Sequence, residues 1–395
     1  MSYPKVTIKP AKESSILRKH PWIFSGAIKH IERELTDGEV VEVVANKGRH
    51  LGYGHFQDGS IAVRLLAFGE ETFDENIFFE RLQSAFALRQ QLGLVDSELT
   101  NMYRLVHGEG DGLPGLIIDH YGGNLVVQCH SIGMYKSITL IVTALEKLYG
   151  NKLQSILLKS GSTLPKAYTG YEGDKCLVGK AQELSECIEN GNRFLVNISG
   201  GQKTGFFIDQ RENRKLLAEF CKGKKVLNTF SYTGGFSIYA LNAGATFVNS
   251  VDSSQAALDL TEKNVTAQNK TVGLHKNTAA DVMDFIQDFE KDYDVIVLDP
   301  PAFAKNQHAR HNAVQGYKRL NGHAIRQIKP GGIIFTFSCS QVIDPPLFAH
   351  TVISAAMNEG RRVRILQRLQ QPADHPISAF HPEGEYLKGL ILQVE

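Results

Sequence analysis

At 395 residues the chain exceeds what one hydrophobic core usually serves, so two or three domains are expected. Hydrophobic residues at 42% and charged residues at 22% exclude general disorder, and a formal net charge of +1 means that any polyanion site must come from local clustering. The opening Met1-Ser2-Tyr3-Pro4-Lys5 lacks a signal-peptide run, and no later stretch has the ~18 uninterrupted apolar residues of a membrane span, so a cytoplasmic protein is expected. Cys129, Cys176, Cys187, Cys221 and Cys339 are odd in number and form no C-x-x-C pair. They suit neither a disulfide framework nor a zinc site, and no metal is expected.

From Met1 to about Phe68 the pattern is of short strands with turn signals, such as Glu39-Val-Val-Glu-Val-Val44 and Ile61-Ala-Val-Arg-Leu-Leu66, with Asp37-Gly38 and Asp58-Gly59 as turns. A small β-rich domain over residues 1–70 follows. Its first twenty residues hold Lys5, Lys9, Lys12, Arg18 and Lys19 against Glu13 alone, a basic cluster suited either to phosphates or to an ordinary solvated face.

Residues 75–92 carry Ile77, Phe78, Leu82, Ala85, Phe86 and Leu88 near helical spacing. Strand-like runs at 116–118 and 125–129 and a second helix over 136–148 complete an α+β middle domain, 71–185, whose strand edges are compatible with a homodimer. Between Lys159 and Gly191 the sequence turns polar and glycine-rich, and Glu189-Asn-Gly-Asn192 reads as a hairpin turn.

The last domain, 186–395, alternates strand and helix patterns. These are Val226-Leu227, a helix through 238–241, a strand at 247–251, a helix over 255–269, a helix over 281–289, a strand at 295–298, a helix to Ile328 and a strand at 333–337. Such alternation predicts a parallel sheet with helices on both faces and ligands at the carboxyl ends of the strands.

The unusual residues fall at those ends. The first strand leads into Asn228-Thr-Phe-Ser-Tyr-Thr-Gly-Gly-Phe236, where Phe230, Ser231, Tyr232, Thr233 and Gly234 form a turn through which backbone can approach a ligand. The second strand ends in Asp252, placed to accept hydrogen bonds from ribose hydroxyls. The phosphate fingerprint G-x-G-x-x-G is absent, which disfavours a nicotinamide oxidoreductase and favours a donor without phosphates. Asp281 opens the next helix, where it either reaches an adenine amino group or caps the helix. The segment Lys203 to Arg211 precedes the sheet and could close over the donor, with Asp209 or Arg211 near a methionine moiety and Lys203 toward substrate; a β-clasp with ordinary salt bridges is the alternative.

The strand at 295–298 leads into Asp299-Pro300-Pro301-Ala302-Phe303, whose paired prolines make a rigid extended edge. The next ends in Ser338-Cys339-Ser340, which puts a thiol beside Asp299 if consecutive strands pair.

These residues resemble class I methyltransferases, and more narrowly the bacterial large-subunit ribosomal RNA methyltransferase I family of cytosine carbon-5 enzymes. The segments that carry the resemblance are Arg18-Lys-His-Pro-Trp-Ile-Phe-Ser-Gly26, Lys203 to Arg211, Asn228 to Phe236, Asp299-Pro-Pro301, Gly316-Tyr-Lys318, Phe337 to Ser340 and Ala373-Asp-His-Pro376. The resemblance implies an RNA-binding PUA domain, a middle α+β domain and a Rossmann-like methyltransferase domain using S-adenosylmethionine on ribosomal RNA. It also implies that Cys339 is the nucleophile. In better-known RNA cytosine methyltransferases a second cysteine follows the paired prolines; here that place holds Ala302.

Carbon 5 of cytosine is a poor nucleophile, so covalent chemistry would begin with a Cys339 thiolate at carbon 6. Lys318 is the candidate positive charge beside it, Asp299 the group holding the cytosine edge, and Phe303 a stacking face for an unpaired base next to Pro300 and Pro301. Two rival readings are amino-group methylation, for which Cys339 is dispensable, and a catalytically inert RNA-binding assembly factor.

Overall fold

The computed structural model describes residues 3–180, 182–268, 273–304 and 306–395. Asn269, the expected end of one helix, and Met1 and Ser2 lie outside the described residues. The described chain divides into two compact units, one of Met1–Cys187, Val196–Phe206 and Ala373–Gly384, the other of Ile188–Leu195, Phe207–Pro372 and Glu385–Glu395.

The first unit begins with six strands, β1 (Lys5–Ile8), β2 (Trp22–Phe24), β3 (Ile28–Ile31), β4 (Val40–Val44), β5 (His50–Phe56) and β6 (Ile61–Phe68). They form one sheet in the order β2-β6-β5-β4-β1-β3. Alternation along the strands turns Val6, Ile8, Val41, Val43, Val63 and Leu65 into a buried core. A second sheet holds β7 (Met102–His107), β8 (Leu116–Tyr121), β9 (Asn124–Cys129), β10 (Ser155–Leu158) and β11 (Lys175–Gly179), in the order β11-β10-β9-β8-β7. The helices Asn76–Gln91 and Ile138–Tyr149 belong to the same core, contributing Ile77, Phe78, Leu82, Ile141 and Leu145.

The hairpin of β12 (Leu184–Glu189) and β13 (Asn192–Asn197) turns through Asn190 (φ 48°) and Gly191 (φ 79°). Two consecutive left-handed residues match the right-handed twist of the flanking strands, which is why Asn-Gly was readable as a turn.

The second unit is built on seven strands, β14 (Lys225–Thr229), β15 (Phe247–Asp252), β16 (Leu274–Ala279), β17 (Val295–Leu298), β18 (Gly332–Ser338), β19 (Val363–Gln370) and β20 (Lys388–Val394). Their order is β16-β15-β14-β17-β18-β20-β19. β14 pairs in parallel with β15 and with β17, and β17 in parallel with β18. The sheet is nevertheless mixed, not parallel throughout as the alternation predicts: β20 runs antiparallel to β18, and β19 antiparallel to β20. The helix expected over 281–289 is a single turn, Val282–Phe285; Phe285 and Phe289 keep their helical spacing as stacked rings 6.0 Å apart without continuous helix between them.

Within the second unit a buried ion pair holds the tip of the hairpin. Arg214, on the helix Arg211–Ala218, donates from Nε to Glu189 Oε1 at 2.8 Å and from Nη2 to Oε2 at 2.7 Å, both side chains being essentially solvent-free. The Tyr239 hydroxyl donates to the same carboxylate at 3.0 Å. Removing one member of such a pair strands the other charge in low dielectric. Glu189→Ala is therefore expected to lower unfolding free energy by about 3–5 kcal/mol in urea titrations; a loss below about 1 kcal/mol would show that the pair contributes little.

Candidate active site

The turn after β14 is under local strain that the rest of the site relieves. Phe230 (φ 52°) and Tyr232 (φ 48°) both sit in the left-handed region, followed by Gly234 (φ 81°). Non-glycine residues reach that region only when neighbours hold them there. Here the Tyr232 backbone N–H donates to Asp252 Oδ2 at 2.8 Å, Thr261 Oγ1 donates to the Tyr232 carbonyl at 3.0 Å, and Asn264 Nδ2 donates to the Thr233 carbonyl at 3.0 Å. Gly234 is required for space as well as conformation, because a Cβ there would meet Thr261 Cγ2 at 2.5 Å.

Below the turn, Asn228 Nδ2 donates to Ser237 Oγ at 2.8 Å, and Ser237 Oγ lies 2.7 Å from Ser250 Oγ. Asn228 Oδ1, Ser231 Oγ and Thr233 Oγ1 are buried and have no hydrogen-bond partner within the protein. Buried polar atoms are seldom left so, and three around one turn fit a bound polar molecule that completes them. Asp252 accepts one backbone N–H on each oxygen, from Tyr232 and at 2.9 Å from Ser254, which aims its remaining lone pairs outward. Asp281 is exposed and caps its helix, Oδ1 accepting from Met283 N at 2.7 Å and Asp284 N at 3.3 Å.

The flanking segment supplies a second set. Asp209 and Arg211 are both buried; Asp209 Oδ2 accepts from the Tyr386 hydroxyl at 2.7 Å and Arg211 Nε donates to Glu212 Oε1 at 3.0 Å. Gln210 between them donates to Asp299 Oδ1 at 3.0 Å while its own carbonyl accepts from Asn213 Nδ2 at 2.6 Å. This relay fixes the Asp299 carboxylate, and nothing in the residue pattern around Gln210 had pointed to it. Lys203 is exposed, has a φ of 50° and belongs to the first unit.

At the neighbouring strand ends, Pro300 is buried, Pro301 exposed, and Cys339 partly buried with Sγ 4.0 Å from the Pro300 carbonyl. Phe303 leans on Tyr317 with ring centroids 4.6 Å apart, leaving it half-buried. The Tyr317 hydroxyl accepts from Ser338 Oγ at 2.9 Å, and burial, with charge at Cys339 and Asp299 acting the same way, pushes its pKa up to about 12.

Lys318 is not the ammonium beside the thiol. It lies on the helix Arg310–Gln327 with Nζ 3.2 Å from the side-chain amide of Asn358, lining a surface depression with His323, Arg326 and Glu359. Tyr317, one residue earlier, takes the inward direction, as a helix turning 100° per residue requires. The positive charge comes instead from Lys388, which pairs with Ser338 across β18 and β20 and donates from Nζ to the carbonyls of Ser340 at 2.7 Å and Ile343 at 2.8 Å. Burial brings its pKa down to about 8, with Cys339, Glu385 and Asp344 pulling the other way. A lysine opening the otherwise apolar strand Lys388-Gly-Leu-Ile-Leu392 was the available signal, since a charge on a buried strand needs a partner.

Comparison with known proteins agrees with this architecture. Residues 6–68 match the PUA-like domain model and residues 103–391 the model for S-adenosylmethionine-dependent methyltransferases. A ribosomal RNA large subunit methyltransferase I from Aeromonas salmonicida is 40% identical over 388 residues, 97% of each chain. The chain belongs to the ribosomal RNA large subunit methyltransferase I family. The relative of the same name from Shewanella amazonensis is 40% identical over 402 residues, 99% of each chain. Among solved structures, an S-adenosylmethionine-dependent methyltransferase from Streptococcus mutans shares the fold at a TM-score of 0.83 and 23% identity, covering 100% of both chains. A methyltransferase complexed with S-adenosylhomocysteine gives the same TM-score and identity. This family member thus depends on S-adenosylmethionine, and the buried unpartnered atoms around the 228–234 turn suit that molecule's ribose, adenine and amino-acid groups. No helix among the described residues is long and apolar enough to cross a membrane.

Lys388 carries a pH signature. The unfolded chain keeps its proton to about 10.5, so burying the charge costs stability below about pH 8, and that cost fades between about 8 and 10.5. Wild-type stability is expected to rise across that window relative to Lys388→Met. In the same variant the pH profile of Cys339 alkylation, followed by peptide mass spectrometry, is expected to move up by about one unit, since a thiolate loses a nearby cation; an unmoved midpoint would detach Lys388 from the thiol.

Proposed function

We propose that the chain methylates carbon 5 of a cytosine in large-subunit ribosomal RNA through a covalent Cys339 adduct. The observation that carries the reading is the placement of Cys339 and Asp299 just past the ends of the adjacent parallel strands β18 and β17, beside the turn after β14. The names of the relatives support the RNA class. Lys5, Lys9, Lys12, Arg18 and Lys19 are all exposed on the PUA-like domain, where phosphate contacts would be made.

In this reading Asn228, Phe230, Ser231, Tyr232, Thr233, Gly234 and Asp252 hold the donor, with Asp209, Arg211 and Asp281 at its two ends. The donor supplies an electrophilic methyl group on a sulfonium sulfur. Lys388 favours the Cys339 thiolate, which adds to carbon 6 of the ring and raises electron density at carbon 5. Asp299, oriented by Gln210, accepts from the cytosine amine and, if it carries a proton, donates to ring nitrogen 3. Pro300 and Pro301 hold the backbone extended beside it, and Phe303 offers a face to the unstacked base. After transfer the carbon-5 proton passes to a base from solvent, and the freed electron pair re-forms the 5,6 double bond as the carbon-6–sulfur bond breaks and returns the Cys339 thiolate. Ala302 stands where a second thiol could assist, so that release falls to other groups. Neither Lys203 nor Lys318 has a role in the chemical step; Lys203 is assigned to RNA contact.

Two measurements test this. Asp252→Ala is expected to weaken S-adenosylmethionine binding by about 1–3 kcal/mol, the cost of hydrogen bonds lost to a buried ligand; equal affinity by calorimetry would remove Asp252 from the donor site. With 5-fluorocytosine RNA, wild type should form a denaturation-resistant adduct that Cys339→Ala cannot form, while donor affinity is kept. Full methylation by Cys339→Ala would sink the covalent route and favour amino-group methylation instead.

A further inference from the structure

Two segments with no part in the proposed chemical step come together inside the first unit. Arg18-Lys-His-Pro-Trp22 leads into β2, and Ala373–Gly384, the excursion between β19 and β20, contributes His381 and Glu383. The ligand-capable atoms of His20, His381 and Glu383 all lie within 4.8 Å of one another. Glu383 Oε1 is 3.6 Å from His20 Nε2, and Glu383 Oε2 is 3.8 Å from His381 Nε2.

These separations are too long for hydrogen bonds. They are close to the spacing of about 3.3 Å that two ligands adopt on one tetrahedral metal with bonds of 2.0–2.1 Å. His381 is 2% exposed, and neither of its ring nitrogens has a hydrogen-bond partner. A buried imidazole with two unanswered nitrogens is uncommon in a finished core. Its ring is instead steered by Trp22, 4.3 Å away at 65°, whose indole N–H donates to Glu109 Oε1 at 2.8 Å.

The His20 ring is held in position as well. Its Nδ1 lies 3.2 Å from the Trp22 carbonyl and also accepts the Trp22 backbone N–H at 3.2 Å, so both contacts fix the ring in place with Nε2 on the Glu383 side. Aromatic packing alone would explain the Trp22 contact, but it gives no reason for the ligand-capable atoms of two imidazoles and a carboxylate to converge.

We propose that His20, His381 and Glu383 form a binding site for a divalent cation of the zinc class. Two imidazoles and one carboxylate are the donor set borderline metals prefer, and the half-exposed Glu383 leaves the fourth position to water. The ion fastens the 373–384 excursion to the β2 edge within the first unit. The cysteine count had left no metal to expect, because the donors are histidines 361 positions apart in the chain and a glutamate, with no cysteine among them.

The test uses the full-length Cys339→Ala protein, stripped with chelator, so that the candidate catalytic thiol does not compete. Cobalt(II) is titrated in by visible absorption and zinc(II) by thermal melting. One equivalent of cobalt is expected, with ligand-field bands of a four-coordinate ion and no thiolate charge-transfer band, and zinc should raise Tm. His381→Gln and, as the variant least able to disturb packing, Glu383→Gln should each weaken cobalt binding by about 100-fold or more. Absence of binding at micromolar metal, thiolate charge transfer, or binding that both substitutions leave intact would overturn the site.

Discussion

The candidate active site hangs on the parallel pairing of β14 with β15 on one side and with β17 on the other. Reversing either neighbour would send Asp252 or Asp299 to the far edge of the sheet. With both parallel, three strand ends open onto one crevice at the point where the chain changes direction across the sheet, the place where sheets of this type hold ligands. The Asp252 carboxylate, at the end of β15, accepts the Tyr232 N–H that keeps the left-handed turn in place and, on its other oxygen, the Ser254 N–H. In the proposed function, strain in the turn and donor recognition would be coupled through this one side chain.

Much of this was legible from the residues. Strand ends carrying Asp252, Asp299 and Cys339 stand out because acids, prolines and thiols interrupt otherwise apolar runs, and β17 and β18 do pair as consecutive strands should. The Asn-Gly hairpin and the long helices announced themselves through turn chemistry and periodicity. What escaped reading depends on register across distant strands. Lys388 comes near the thiol only because β20 returns antiparallel on the far side of β18, and no local pattern near Cys339 encodes that return. Lys318, the expected charge beside Cys339, sits one residue past the inward-facing Tyr317, and adjacent residues on a helix face different ways. Gln210 escaped for a related reason: an amide relay to a carboxylate 89 positions away leaves no periodic trace.

The polar interior is organised around guanidinium groups. In the first unit Arg89, wholly buried, makes a fork to Asp111 and donates to the Asp374 carbonyl at 2.7 Å, while Arg104 forks onto Asp119. In the second, Arg214 forks onto Glu189. Planar bidentate pairing lets arginine be buried where lysine would lose its proton, and Lys388, held by two carbonyls with no carboxylate bond, shows that contrast in its lowered pKa.

The first unit is assembled from three stretches of chain, and the last of them, Ala373–Gly384, follows almost the whole of the second unit in sequence. Arg89 and Arg104 both bond to Asp374, so the middle of the first unit keeps two unmet donors until that stretch arrives. During synthesis from the N-terminus, the domain that is begun first therefore stays incomplete until nearly the whole chain has been made. A nascent chain can complete its methyltransferase sheet only a few residues later, when β20 inserts between β18 and β19, so the two halves of the protein reach their native state within the same short interval of translation.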